Sequence, residues 1–487
     1  MTQIRTSPPP TVWLWLKKSR TSVQITDLVS LDTSRTMENP VASATITFKG
    51  DRWGASAPLP LRGRRFEDTI DFYDLVRIDW HDRQALPKRW PVLVGFVIAC
   101  EAQDGMQEAL PSTEFVLTVR SLGEALVRYQ IFWHPHIAAQ NNLGGIGYLL
   151  RAKGKLPTGR PDQVIQTLFS AFLNGDYLFT LADGRKIYEA VTLSLEAIPD
   201  GAALTALSAM GMEGALWATL KRYADCPWNE FFMDVPLSEL SLNPGHASTT
   251  REEVVLRPTP WTFERWDRLA TSDGWLFTFP LGERIGPGLS LRRSADSVYN
   301  FFWCTGKAEF SGFDQLSILY NRSGGKIPRY DADAAERYGL RRLEVSTEYV
   351  QFRTEDDATS GAISAAHRST MNTGKNFLWE LLENRTTFLH QTSGFDGFWE
   401  GSYTTVGRVG LDGGVGARIG GIARFSDGRE GYITGVRHAW GVDALWMTTL
   451  TLTKVHKPSD WRGWWKRVED ARVAATPRLV SLGIGRL

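Results

Sequence analysis

The chain has 487 residues and a formal net charge of +1, from 55 basic and 54 acidic side chains. A single hydrophobic core stops growing well below this length, so we expect two to four domains. The balanced charge disfavours a protein that grips nucleic acid non-specifically, because such proteins carry a basic excess.

The cysteine and tryptophan content narrows the class of protein further. Cys100, Cys226 and Cys304 are widely spaced in apolar surroundings, which predicts reduced thiols. No apolar run reaches the roughly 18 residues that span a bilayer, and residues 1–10 lack the apolar stretch of a signal peptide. We therefore expect no membrane insertion. The 19 tryptophans favour thick cores and subunit interfaces over carbohydrate platforms.

The first part of the chain reads as a β-barrel. Residues 1–10, with Ser7-Pro8-Pro9-Pro10, form a predicted flexible lead-in. From 11 to 128, short alternating runs are separated by turn clusters such as Lys49-Gly50-Asp51, which is typical of a barrel or Greek-key domain. The predicted strands are Val12–Leu16, Val23–Leu31, Ala42–Phe48, Asp74–Trp80, Val92–Glu101 and Glu114–Arg120.

The next segment, 129–250, is predicted to be an α-rich insertion domain. Pro161-Asp162 opens an apolar stripe that runs from Val164 to Leu173 at helical spacing and stops at Asn174-Gly175. A second helix, at about 214–224, ends before Cys226-Pro227.

A strand pair links this insertion to the predicted mixed middle domain, 251–345. Trp228–Asp234 reads as one strand and Glu253–Trp261 as its partner. Pro258 and Pro260 forbid further pairing beyond that point.

Residues 346–457 are predicted to form a second β-barrel. Leu450 and Leu452 alternate with threonines in the last strand of a closing hairpin. We also expect a helix between 356 and 384 and a short strand at Gly416–Ile419. The predicted fold is mainly β with α insertions (α+β). The remaining residues, 458–487, are a predicted docking tail, in which Trp461, Trp464 and Trp465 are candidate partner-binding residues. Packing of this tail back onto its own subunit is the alternative.

Catalytic and cofactor motifs are missing. The sequence has no phosphate-binding loop, nucleophile elbow, Cys-x-x-Cys or zinc-protease helix, so no cofactor and no enzyme activity are expected. His134 and His136 would share one face of a strand and could hold a metal with a third ligand. Ordinary hydrogen-bonded histidines are the favoured alternative. The acidic cluster Glu355-Asp356-Asp357 favours a solvated loop over a catalytic pair.

Several motifs occur in the order found in one protein family. They are a Pro-x-Asn-Glu-Phe strand ending at Asp234, an Arg-Pro-Thr-Pro-Trp strand end, an Asp-x-x-x-Asn strand from Asp296, a Tyr-Gly-x-Arg return from Tyr338, and the Tyr-Ile-x-x-Val-x-His-x-Trp hairpin. Together they resemble the central baseplate hub proteins of contractile-tailed bacteriophages and related injection systems, the tail hub or late control D-like family. The motif residues with an expected structural role are Asn229, Glu230, Asp234, Arg257, Pro258, Thr259, Pro260, Trp261, Tyr432, His438 and Trp440.

The resemblance implies a structural role. Such hubs are homotrimers in which two barrels per subunit give a pseudo-sixfold ring. The ring joins a hexameric tail tube, or its initiator, to a trimeric central spike. Baseplate wedge and tape-measure proteins are further expected partners, and DNA or cargo passes only in transit through the axial channel. The implied location is the virion tail baseplate, assembled in the host cytoplasm.

Two other classes of function stay open at this point. One is a tail-associated enzyme that degrades cell wall or polysaccharide, for which Glu355 would be the carboxylate to test. The other is a monomeric carbohydrate-binding protein, suggested by the tryptophan content.

Overall fold

The computed structural model describes fourteen stretches of the chain. They are 9–81, 89–107, 110–131, 159–173, 180–196, 198, 214–236, 251–272, 275–279, 288–308, 328–352, 381–406, 417–442 and 444–481.

Strands dominate these stretches. In chain order they are β1 (Thr11–Leu16), β2 (Thr21–Ile25), β3 (Leu28–Thr36), β4 (Ser43–Lys49), β5 (Leu75–His81), β6 (Arg89–Gln107), β7 (Leu110–Ser121), β8 (Gln130–Ile131), β9 (Val191–Leu195), β10 (Gly214–Ala215), β11 (Asn229–Asp234), β12 (Glu252–Pro258), β13 (Leu276–Phe279), β14 (Gly288–Arg292), β15 (Phe301–Ala308), β16 (Arg329–Tyr330), β17 (Arg342–Phe352), β18 (Trp399–Val406), β19 (Ile422–Phe425), β20 (Glu430–Gly441) and β21 (Ala444–His456).

Helices lie between groups of strands. They are α1 (Phe66–Thr69), α2 (Gly123–Arg128), α3 (Pro161–Leu173), α4 (Ile187–Ala190), α5 (Leu216–Tyr223), α6 (Phe263–Thr271), α7 (Ala332–Tyr338), α8 (described over 381–393) and α9 (Pro458–Ser481). Among the described residues, no helix combines the length and the apolar character needed to cross a membrane. The predicted helices at 161–173 and about 214–224 are confirmed, and the predicted fold class, mainly β with α insertions, is confirmed as well.

The first seven strands curl around one core. Their hydrogen-bonded order is β2-β1-β5-β6-β7-β4-β3. The two ends of this order, β2 and β3, are consecutive in the chain and separated only by Thr26 and Asp27. Alternate side chains from all seven strands pack into a single cluster, as Leu14, Ile46 and Leu117 do. A flat sheet could not bring its two ends to one core, so this sheet curls into a barrel-like unit.

A second unit is built in the same way. Its order is β14-β18-β21-β20-β19-β13, and its two ends, β13 and β14, are again consecutive strands. Phe279, Tyr403, Phe425 and Leu450 lie in its core. Although β13 and β14 come from the segment assigned to the middle domain in the sequence analysis, their hydrogen bonds place them in this second curled sheet.

The long hairpin of β20 and β21 joins the two units. The first part of β20 pairs with β19, and the second part, from Gly435 to Gly441, pairs with β3. Thirteen described strands therefore belong to one hydrogen-bonded sheet. Trp440 and Trp446, near the tip of the hairpin, lie in the core of the first unit. There the ring of Trp446 stacks on Trp80 with centroids 3.8 Å apart.

The C-terminal helix α9 packs on its own chain. Trp461 is 2% exposed and Trp464 is 7% exposed, in a cluster with Trp266 and Tyr432. Trp465 is half-buried, with Arg329 above its ring at 5.1 Å. The predicted docking role is therefore wrong for Trp461 and Trp464, because their rings are already buried by intramolecular packing.

Two further predictions can be compared with the structure. The strand predicted at Gly416–Ile419 is wrong over its described part, because 417–420 runs into a turn in which Gly420 has a φ of +79°. Of the helix predicted between 356 and 384, only 381–384 is described. Those residues are helical, and the helix continues to 393.

Candidate functional site

The strand pair β11 and β12 lies between two cores. Side chains alternate across a strand, so Phe231 and Met233 face the core of the insertion while Phe232 faces the second curled sheet. All six residues of β11 are buried as a result. The predicted pairing is confirmed, with Glu230 opposite Arg257. Both charged side chains share a face with Phe232, so they point toward the second curled sheet.

Three motif residues form one buried polar contact. Arg257 donates from Nε to Glu230 Oε2 at 2.8 Å and from Nη2 to the Tyr432 hydroxyl at 3.0 Å. The Tyr432 hydroxyl in turn donates to Glu230 Oε1. Arg257 Nη2 also donates to the carbonyl oxygen of Gly420 at 2.5 Å. The contact therefore connects β11, β12, β20 and the turn before β19.

Burial governs the chemistry of this contact. Removal from water raises the pKa of the Glu230 carboxyl, and Arg257 and Tyr432 beside it pull that pKa back down. Glu230 and Arg257 are 6% and 3% exposed, and Tyr432 is fully buried. Both Glu230 oxygens and two of the Arg257 nitrogens, Nε and Nη2, are used in hydrogen bonds. A buried charged pair held in this way favours fixed geometry over turnover of a substrate.

A second buried contact lies at the far end of β11. Asp234 accepts a hydrogen bond from Arg418 Nε at 3.1 Å and lies 3.7 Å from Arg35 Nε. Arg35 also pairs with Glu252 and donates to the Met233 carbonyl at 3.2 Å. Arg35 belongs to β3 of the first curled sheet, whereas Arg418 lies just before β19 of the second. One carboxylate thus connects the two units.

The remaining residues of the motif surround these contacts. The Asn229 side chain donates to the Ala224 carbonyl at 2.9 Å, and the Thr259 hydroxyl donates to the Pro227 carbonyl at 2.7 Å. Trp261 packs edge-on against Tyr432 at 4.6 Å. Pro258 pairs opposite Asn229 as the last residue of β12, and residue 260 follows outside the strand.

Gly420 offers a test of how tightly this region is packed. A Cβ at Gly420 would lie 2.7 Å from Arg257 Nη2 and 2.8 Å from Phe232 Cζ, on a backbone with positive φ. Gly428 has a similar φ of +83° but open space around it. We expect Gly428→Ala to lower the free energy of unfolding by about 1–2 kcal/mol and Gly420→Ala by about 2–4 kcal/mol. Urea titrations of both variants check this, and equal losses would contradict it.

His438 and Trp440 lie apart from the other motif residues, in the half of β20 that pairs with β3. His438 Nδ1 is 3.0 Å from the Thr448 hydroxyl, and its ring packs edge-on against Trp80. Burial lowers the pKa of His438 to about 3. The site therefore holds a neutral imidazole at ordinary pH.

The pKa of His438 predicts sensitivity to acid. The unfolded chain takes up a proton near pH 6.5 and the folded chain does not, so acid favours unfolding. We expect His438 alone to remove about 2 kcal/mol of stability between pH 7 and pH 5. His438→Gln lacks this titration, so its unfolding free energy should fall less over that range. Urea titrations of both proteins at the two pH values check this, and equal falls would contradict it.

Several of the buried charged partners were not predicted from the sequence. Arg35 and Arg418 are buried and hold Asp234 in place, the buried Glu252 pairs with Arg35, and Asp225 pairs with Arg385. Arg418 could have been noticed, because it is the one charged residue in the Gly-rich apolar run 416–422. A charged side chain in such a run is buried only when an opposite charge pairs with it. Nothing in the local sequence distinguishes Arg35.

Other predicted site residues cannot be placed. His134, His136 and Glu355 lie outside the described residues. Within the described stretches, no group of three or more His, Cys, Asp or Glu side chains is arranged to hold a metal ion.

Comparison with known proteins finds similarity at the level of solved structures. No family model and no curated protein sequence matches the chain. The chain is similar to the 43 kDa tail protein of prophage MuSo2 from Shewanella oneidensis, with 11% identity, a TM-score of 0.48 and coverage of 92% of this chain and 98% of that one. A tail protein from Neisseria meningitidis MC58 gives 11% identity, a TM-score of 0.46 and coverage of 92% and 97%.

A third solved structure is a type VI secretion component. It is the c3393 protein of Escherichia coli, which is described as structurally similar to the bacteriophage T4 tail proteins gp27 and gp5. The identity is 10% and the TM-score 0.40, with coverage of 89% of this chain and 74% of that one. The structural neighbours of the chain are thus phage tail proteins and type VI secretion components.

Proposed function

We propose that the chain is a structural baseplate hub subunit that assembles into a trimeric ring of pseudo-sixfold symmetry. The ring connects a hexameric tail tube, or a tube-initiator protein, to a trimeric central spike and leaves an axial channel for DNA or cargo. In this proposal the protein belongs to a virion tail or a related injection device, assembles in the host cytoplasm, and also meets wedge and tape-measure proteins.

The observation that carries this proposal is the pairing of β20 with β3. It connects two curled sheets edge to edge within one chain. Three copies of such a chain present six similar units around an axis, which solves a mismatch between sixfold and threefold partners. The buried contacts of Asp234 with Arg35 and Arg418 fix the two units relative to each other.

The face of the sheet that turns away from both cores suits a channel wall. Residues that lie opposite each other on neighbouring strands have their side chains on the same face of the sheet. One row of such residues crosses seven strands, from β14 to β7, and is about 29 Å long at the usual strand spacing. The row is Gly288, Thr404, Thr449, Arg437, Ser34, Ser43 and Arg120. The neighbouring row on the same face is Ser290, Ser402, Thr451, Gly435 and Thr36.

Charges on this face are mostly compensated. Arg437 pairs with Asp32 on the neighbouring strand, and Arg120 pairs with Glu124. Small hydroxyl side chains cover most of the remaining surface. A wall of this kind hydrates easily and holds few counterions, so it would let DNA pass without binding it.

Electron-microscopy class averages of the purified chain, mixed with its candidate spike protein, test the proposal. We expect threefold rings with a central hole and a near-hexagonal outline. Single particles without rings, at concentrations well above micromolar and with the spike protein present, would overturn it.

A further inference from the structure

The two curled sheets share one strand topology. In the first, β4, β5, β6 and β7 follow one another along the chain and have the hydrogen-bonded order β4-β7-β6-β5. In the second, β18, β19, β20 and β21 follow one another along the chain and have the corresponding order β18-β21-β20-β19. Every pairing in both runs is antiparallel. Each strand of one run therefore has a counterpart in the other.

The two runs also point the same way. Antiparallel pairing connects β20 to β3, β3 to β4, β4 to β7 and β7 to β6. These four reversals of direction give β6 the direction of β20. Both strands therefore end at the same end of the sheet, which we name the hairpin end. In a ring, corresponding features of the two units would face the same axial partner.

A loop at the hairpin end distinguishes the first unit. Residues 50–65 follow β4, and the N–H of Gly50 donates to the carbonyl oxygen of Thr113 at 2.7 Å, close to where β6 ends and β7 begins. The connection after β4 spans 50–74, whereas its counterpart after β18, 407–421, is shorter and contains no proline and no aromatic residue. A ring of three chains would therefore present this loop three times and not six.

The loop holds one leucine out toward solvent. Leu59 is 79% exposed and lies between Pro58 and Pro60. Leu61 is buried in the core of the first curled sheet, and its N–H donates to the Pro58 carbonyl oxygen at 2.9 Å. Trp53, at the base of the loop, lies in the same core. Two prolines and two buried anchors reduce the conformational entropy that a contact through Leu59 would lose.

Positive charge surrounds this leucine. Arg62 and Arg64 are exposed, and neither forms an ion pair within the described part of the chain. Arg52 and Arg65, at the base of the loop, each lie 3.6 Å from Asp51. An exposed apolar side chain beside unpaired cations is complementary to an apolar socket with carboxylates at its rim.

We propose that Leu59, Arg62 and Arg64 bind the trimeric spike, at an apolar socket rimmed by carboxylates on each spike chain. The inference rests on the proposed function, because it assigns one end of the hub ring to one partner. A threefold partner meets all three copies of the loop in the same way, whereas a sixfold tube would meet the loop at only half of its positions. The hairpin end therefore faces the spike, and the opposite end faces the tube.

Binding of the full chain to its candidate spike protein, measured by biolayer interferometry, tests this contact. We expect Leu59→Ser to raise the Kd about tenfold or more, because it removes apolar surface from the socket. Arg62→Glu combined with Arg64→Glu should do the same, because it places like charges together. Both variants should bind the tail-tube protein with wild-type affinity. Since the altered side chains are exposed, thermal unfolding of the free chain should match that of the wild type.

Exposed residues elsewhere provide matched controls. Leu340 is 70% exposed, in the segment after α7. Lys466 is an exposed cation of α9 that forms no ion pair with another described residue. Leu340→Ser and Lys466→Glu should therefore leave binding to the spike protein unchanged.

Three results would overturn this contact while leaving the hub proposal intact. In the first, the Leu59 and arginine variants bind the spike protein like the wild type. In the second, they lose binding to the tail-tube protein and keep binding to the spike. In the third, they lose three-chain assembly in the absence of any partner, which would make the loop a contact between copies. A wild-type chain that forms no three-chain species and binds neither protein would overturn both proposals.

Discussion

Replacing Arg257 with alanine should lower the free energy of unfolding by about 3–5 kcal/mol, because it leaves the buried Glu230 carboxylate without its cation. The Tyr432 hydroxyl and the Gly420 carbonyl would lose the same donor. Each of these groups lies where water cannot replace the lost hydrogen bond. Urea titration followed by tryptophan fluorescence measures the change.

Arg437→Ala is the matched control. Arg437 is an arginine of β20 that pairs with Asp32, but its side chain is 62% exposed. Solvent screening limits such pairs to about 0–1 kcal/mol. The double variant Glu230→Gln with Arg257→Ala should recover part of the stability, since no buried charge is left unpaired. A loss for Arg257→Ala no larger than that for Arg437→Ala would contradict the buried contact.

Replacing Trp446 with alanine should also lower the free energy of unfolding by about 3–5 kcal/mol. The indole is 2% exposed and stacks on Trp80 in the core of the first curled sheet, although β21 is a strand of the second. The damage should therefore extend beyond the hairpin. We expect faster hydrogen exchange in the amides of β5, next to Trp80, as well as in β20 and β21.

Trp399→Ala tests whether the loss of stability in the Trp446 variant comes from the burial of the indole. Trp399 lies in the neighbouring strand β18 but is 38% exposed, so the same truncation should cost about 1 kcal/mol or less in the isolated chain. If the Trp446 variant shows faster hydrogen exchange only in β20 and β21, the hairpin tip does not stabilise the first curled sheet, and this prediction is contradicted.

Local patterns were sufficient to predict the strands of the first curled sheet, the β11–β12 pair and the β20–β21 hairpin, but not strands such as β9, β13, β14, β18 and β19. The alternation in Val12–Leu16 and in Ala42–Phe48 follows directly from burying one face of a sheet. Pro258 correctly marked the end of β12, because proline cannot donate to a ladder. The two-residue break at Thr26-Asp27 was missed, and with it the division of one predicted strand into β2 and β3.

The partners of the buried charges could not be predicted in this way. Arg418 is 184 residues from Asp234, and Arg257 is 175 residues from Tyr432, so only the assembled topology brings them together. The tail was misread because aromatic residues among basic ones resemble a docking surface. The helical spacing of Trp461, Trp464 and Val468 was the signal for an intramolecular face.

The most direct test of the hub account is a cryo-electron-microscopy reconstruction of the assembled ring. We expect Thr404, Thr449 and Ser43 to face the axial hole and β20 and β3 to run side by side along its wall. A reconstruction in which this polar face points away from the axis, or in which the assembly has no axial hole, would contradict it.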